Sequence, residues 1–130
     1  MKIYKECDIR IMILGTEYTV HIWPESKEQR FQELDCGGFC DPTTKELFIS
    51  NYIDSDKKIN VSDPLYAIRH IIRHEMVHAF MYESGLGEDW EHGNFGQEET
   101  VVDWIARQID KMHESMKTVI NAIKENEIEV

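Results

Sequence analysis

Residues 63–84 carry apolar side chains at helical spacing, and inside that stretch stands His74-Glu75-Met76-Val77-His78, an H-E-x-x-H motif. Positions four apart on an α-helix are displaced by about 40° around the axis and one turn along it. His74 and His78 therefore aim their rings at one spot off one face, where a Zn²⁺ ion can accept both. Glu75 lies roughly 100° further round. It is badly placed to share the ion from that face and well placed to reach a water beside it. This is the division of labour in zinc hydrolases: imidazoles hold the ion and a carboxylate takes the proton from water. An amphipathic helix whose two histidines are merely exposed or hydrogen-bonded is the plain alternative.

The flanking signals fix where this helix starts and stops. Ser62 or Asp63 can cap its first turn and Pro64 fits the first helical position. Leu65, Ile68, Ile71, Ile72, Met76, Ala79 and Phe80 form its buried face, and Gly85 terminates it after about Glu83. His70 also lies near the histidine face, but one turn too early; packing or a hydrogen bond is its expected role. Tyr82 is expected to pack at the helix end, with oxyanion stabilisation as the alternative.

Upstream the pattern is that of strands. Residues 9–14 and 18–23 are rich in β-branched and aromatic side chains and read as a hairpin about Gly15. His21 falls mid-strand with an expected cross-strand role. A short helix or turn is expected within 25–34. Residues 38–41 and 46–50 read as a second hairpin whose turn begins at Pro42. A strand beside a zinc-site helix can receive a substrate by strand addition, and this hairpin is the candidate. Residues 51–60 read as loop. Helical spacing resumes over 97–125 through Val101, Val102, Ile105, Ile109, Met112, Met116, Val119, Ile120 and Ile123, and the tail 125–130 is expected to fray. Part of that stripe could serve as a homodimer face.

Zinc takes a third protein ligand and keeps a position open. Glu99, at the start of the last helix, is the first candidate, because Asp103 four residues on shares its face and can hold the far nitrogen of a ligating histidine. Glu98 lacks such a partner, since Val102 stands four residues after it. His92, in a glycine-containing connection, is the second candidate.

With its 130 residues the chain has the length of one domain, β-rich over 1–60 and helical over 62–125. Its net charge of −11 repels phosphate backbones, so no nucleic-acid partner is expected. No apolar run approaches the ~20 residues of a membrane span, and the acidic start lacks a signal-peptide pattern, so a cytoplasmic location is expected. Three cysteines fit free thiols there; Cys36 and Cys40 form a C-x-x-x-C pair without a second pair to complete a metal site.

Taken together, His74-Glu75-Met76-Val77-His78 and Glu99-Thr100-Val101-Val102-Asp103 resemble the glutamate-zincin pattern H-E-x-x-H…E-x-x-x-D. Residues 73–80 with 98–106 resemble the small zinc metallopeptidases of phages and mobile elements, the ImmA/IrrE-like group. The resemblance implies an α+β, zincin-like fold: a small, mostly antiparallel sheet packed on the H-E-x-x-H helix and a long C-terminal helix. It implies His74, His78 and Glu99 as zinc ligands, Glu75 as general base, and Asp103 as the partner of His74. It implies peptide-bond hydrolysis, with a protein or peptide substrate such as a phage or mobile-element regulator. His92-Gly93 with Phe95 is also similar to the SprT-like proteases, in which a His-Gly pair supplies the third ligand. Here the aromatic falls one residue early and no basic segment is present. His92 could instead stabilise an oxyanion. A catalytically silent zinc-binding or interaction module is the remaining reading.

Overall fold

The computed structural model describes residues 1–85 and 99–130, except for the side chains of 58, 59, 99–103, 106 and 107. Its architecture is α+β. Four strands, β2 (Cys7–Ile13), β3 (Thr16–Trp23), β4 (Gly38–Asp41) and β5 (Glu46–Ser50), form a sheet in the order β2-β3-β5-β4. All its pairings are antiparallel except β3 with β5. The two expected hairpins are both present. The β2–β3 turn is Leu14-Gly15, with φ of 49° and 86°. Two successive positive φ values match the right-handed twist of the strands, and glycine takes the second without steric cost.

Register assigns each side chain to a face. Val20 opposes Leu47 and Ile22 opposes Ile49, all four fully buried. They face α2 (Pro64–Glu83) and α3 (Glu99–Ile123). From α2 come Ile68, Ile72, Met76, Ala79 and Phe80; from α3 come Met112, Val119 and Ile123. Burying each large apolar side chain is worth about 1.5–3 kcal/mol, which holds both helices on one side of the sheet. The opposite face carries His21, Trp23, Phe39 and Phe48, with Phe31 of the short helix α1 (Arg30–Glu33) edge-on to Phe39. Arg30 lies over Phe39 and Phe48. His21 does play a cross-strand role: Nδ1 is hydrogen-bonded to the Asp8 carboxylate at 2.5 Å and Nε2 to that of Glu46 at 2.6 Å.

Helix α2 forms where its local signals place it. The Asp63 carboxylate accepts the Tyr66 N–H at 3.2 Å, Pro64 opens the helix, and Gly85 follows it with φ of 86°. Three expectations need correction. The tail does not fray: β6 (Glu127–Glu129) pairs antiparallel with β1 (Lys2–Tyr4), because Ile3 and Tyr4 are buried and their strand needs a partner. Within 51–60, residues Asp56–Asn60 form a 3₁₀ turn rather than loop throughout. On α3, Ile105 and Ile109 are exposed, so the buried stripe there is narrower than the sequence spacing indicates. Among the described residues no helix is long and apolar enough to cross a membrane.

Candidate metal site and groove

His74 and His78 meet as helix geometry requires. Their Nε2 atoms are 3.2 Å apart and their rings are inclined at 72°. Two nitrogens bound tetrahedrally to one zinc at about 2.0–2.1 Å lie roughly 3.3 Å from each other. The spacing therefore suits a shared ion; it also lets one neutral ring donate to the other. Burial, and then the neighbouring His74, holds the His78 imidazole below its usual pKa, which favours the neutral, ligating form.

Glu75 sits on the side of α2 that packs against β4. It is 7% exposed, and burial raises its carboxyl to about 7. No hydrogen-bond partner for it is found among the described residues. A carboxyl in this condition can both take and release a proton near neutrality.

The opposite bank is β4, and Gly38 sets how near it comes. A Cβ at this position would collide with Ile71 Cγ2 and lie 3.2 Å from the Phe48 carbonyl and 3.4 Å from Glu75 Cγ. Only a bare backbone lets the strand lie this close to the helix. Ser50 N–H donates to the Gly37 carbonyl at 2.8 Å. Antiparallel alternation then turns the N–H and C=O of Gly38 and Cys40 away from β5, toward the edge of the sheet, where no described strand pairs with them. Between strand and helix runs a groove of about 370 Å³ lined by Leu34, Cys36, Gly38, Phe39, Cys40, His74, Glu75, His78 and Tyr82. A larger hollow of about 620 Å³ near Met12 and α3, and one of about 340 Å³ beside it, contain neither histidine.

Several side chains behave otherwise than their sequence positions indicate. Tyr82 is 42% exposed and borders the groove instead of packing away at the helix end. His70 is exposed. Cys36 and Cys40, free thiols that form no site by themselves, share the groove with the histidine pair. Gly38 and Cys40, two residues apart in β4, share one side of that strand and Cys36 lies just before it; the helix opposite could not be read from that spacing. Burial pushes the Cys40 thiol up to about 12 and raises Cys36 as well.

At its C-terminal end α2 is fastened by Glu83. Its carboxylate accepts from Tyr18 at 2.6 Å, Lys45 at 2.7 Å and Thr16 at 3.0 Å. Burial alone would raise this group; the three donors outweigh it and hold it below the usual range. A carboxylate at the C-terminus of a helix opposes the dipole, and these donors from β3 and the β4–β5 turn offset that cost.

The remaining ligand candidates are only partly described. Glu99 begins α3 and Asp103 lies one turn on, but their side chains are outside the described set. His92 lies outside the described residues altogether. Among the described residues no three His, Cys, Asp or Glu groups stand at metal-binding spacing. No family model matches the chain, and no curated protein or solved structure matches it.

Proposed function

We propose that the chain is a zincin-like, zinc-dependent peptidase, with His74 and His78 as ligands, Glu99 as the third, and Glu75 as the general base. The observation that carries this reading is the 3.2 Å separation of the two Nε2 atoms, close to the edge of a tetrahedral zinc shell, beside a buried carboxylate. A zinc ion held there supplies a Lewis acid for a carbonyl and brings the pKa of a water toward ~7. Glu75, between the imidazoles and β4, accepts the proton from the attacking water and passes it to the leaving amine. The outward C=O of Gly38 and the outward N–H and C=O of Cys40 offer an extended peptide a ladder that lays its scissile bond along the groove. Asp103, one turn after Glu99, is the natural holder of a ligating histidine's far nitrogen. That edge supports a peptide or protein substrate; a phage or mobile-element regulator is the substrate the motif resemblance favours.

The test is zinc per chain in the purified parent, Glu99→Ala and His92→Ala, paired with hydrolysis of an unfolded protein substrate. About one zinc in the parent and in His92→Ala, with loss in Glu99→Ala, is expected. Loss in His92→Ala instead assigns the third ligand to His92. No zinc in the parent after reconstitution overturns the reading. Full zinc occupancy without hydrolysis leaves a zinc-binding module.

A further inference from the structure

We propose that Leu34 and Phe39, at the open edge of β4, form a subsite that takes a large apolar side chain of the bound peptide and so decides which sequences the groove accepts. The inference rests on the extended-peptide half of the proposed function and deepens it; the subsite itself involves no metal.

Register divides β4 between two faces. Gly38 opposes Ile49 and Cys40 opposes Leu47, both buried, so Gly38 and Cys40 face α2. Phe39 opposes Phe48 and faces the other way. Phe39 and Leu34 nevertheless border the same groove as His74, Glu75 and His78. The groove therefore does not stop on the α2 side of the strand but extends to its open edge.

What it meets there is apolar and firmly backed. The Phe39 ring is stacked on Phe48 at 4.8 Å, and Phe31 stands edge-on to it at 5.4 Å. Phe31 is fully buried. Leu34, three residues later, ends α1 with 57% of its surface exposed. A single exposed leucine is ordinary; one that borders a groove beside a braced aromatic ring is a surface that a ligand can cover. The cation next to the ring is already engaged. Arg30, 4.8 Å from the centre of Phe39, donates to Glu28 at 2.6 Å and to Asp41 at 2.8 Å. An acidic side chain thus gains no free partner from it, whereas an aromatic or long aliphatic one gains apolar contact with both Leu34 and Phe39.

Strand pairing fixes where that side chain stands in the peptide. In a strand added to β4, the residue opposite Phe39 places its side chain on the Phe39 face, and its two neighbours place theirs on the α2 face, toward the histidines. The selected residue is therefore adjacent in sequence to one that enters the groove on the α2 side. Pairs of an aromatic with a large apolar side chain are among the favourable cross-strand neighbours.

Peptide binding to the metal-free chain reads the subsite without recourse to activity. Dye-labelled heptapeptides of alternating threonine and valine, with phenylalanine, leucine, serine or aspartate at the centre, are titrated against the chelator-treated parent, Leu34→Ala and Leu34→Lys. Leu34 is exposed, so neither change reaches the core. The parent is expected to bind the phenylalanine and leucine peptides about tenfold more tightly than the other two. Leu34→Ala narrows that gap, and Leu34→Lys shifts the preference to the aspartate peptide. Equal binding of all four by the parent, binding of none, or a preference unchanged in both variants overturns the subsite. Zinc per chain, measured on untreated samples of the same preparations, separates the two readings. Zinc without an apolar preference sinks the subsite alone; an apolar preference without zinc sinks the peptidase reading and leaves a peptide-binding groove.

Discussion

Among the described residues two carboxylates are withdrawn from water, and their surroundings are opposite. Glu25 is 1% exposed and fully engaged: Ser50 Oγ donates at 2.7 Å, Lys57 Nζ at 3.0 Å and Gln32 Nε2 at 3.2 Å. Glu75 is 7% exposed and has no such donor among the described residues. A buried anion without partners costs stability, and a chain selected for stability alone removes it. Glu25 has the environment of a carboxylate that joins elements, here the segment after β3, the end of β5 and the Asp56–Asn60 turn. Glu75 has the environment of one kept for something that arrives from outside, and it stands beside the paired histidines.

The largest expected effect separates the two directly. Glu75→Gln keeps the shape of the side chain and removes the base, so hydrolysis falls by at least ~10²-fold while metal content is unchanged. Substantial turnover by a clean Glu75→Gln preparation would remove Glu75 from the chemistry. The corresponding change at the other carboxylate acts on the fold. Glu25→Ala strands Lys57, Ser50 and Gln32 without their acceptor. Since Lys57 is partly exposed, the loss lies toward the lower end of that for broken buried pairs, about 3 kcal/mol. Urea denaturation measures it, and a loss below roughly 1 kcal/mol would show that Glu25 is no anchor.

The contrast was legible in the sequence on one side only. Glu75 announced itself through the four-residue spacing of its flanking histidines, a relation internal to one helix. The same locality explains why α2 and the second hairpin were readable nearly to the residue and the first to within two: Asp63-Pro64, Gly85 and Gly15 act on their immediate neighbours. Glu25 sits in a polar stretch like any surface acid, and nothing nearby indicates that Ser50 and Lys57 converge on it. The parallel pairing of β3 with β5, the β1–β6 ribbon and the meeting of Cys40 with the histidine helix are likewise long-range relations. Strands of three residues also carry too few side chains to display an alternation. Tyr82 was misplaced because helical spacing says which residues share a face, not whether anything covers that face.

A third expectation extends the comparison to groups that hold a site without touching its ion. Asp103→Ala weakens zinc retention by ~10–100-fold, less than loss of a ligand, because the imidazole remains but its orientation and basicity are no longer fixed. Competition against a chromogenic chelator measures this. An affinity equal to the parent's would detach Asp103 from the site and leave the choice between Glu99 and His92 without its supporting contact.

The smallest effect concerns stability, and it has the sign that an unpartnered carboxyl requires. Burial lifts Glu75 from an ordinary 4.5 to about 7. Between those values the folded chain holds a proton that the unfolded chain has released, so stability falls as pH rises. The slope from this one group is at most about 1.4 kcal/mol per pH unit, and it applies to protein stripped of metal, since a bound cation would itself favour the charged carboxylate. Chemical denaturation of chelator-treated parent and Glu75→Gln across pH 5 to 7, roughly the span of the raised group, isolates it by difference. The parent should lose stability relative to the variant as pH rises, while Glu25, present in both, cancels. Parallel curves would mean that Glu75 has found a donor after all, and the two carboxylates would then differ in place but not in kind.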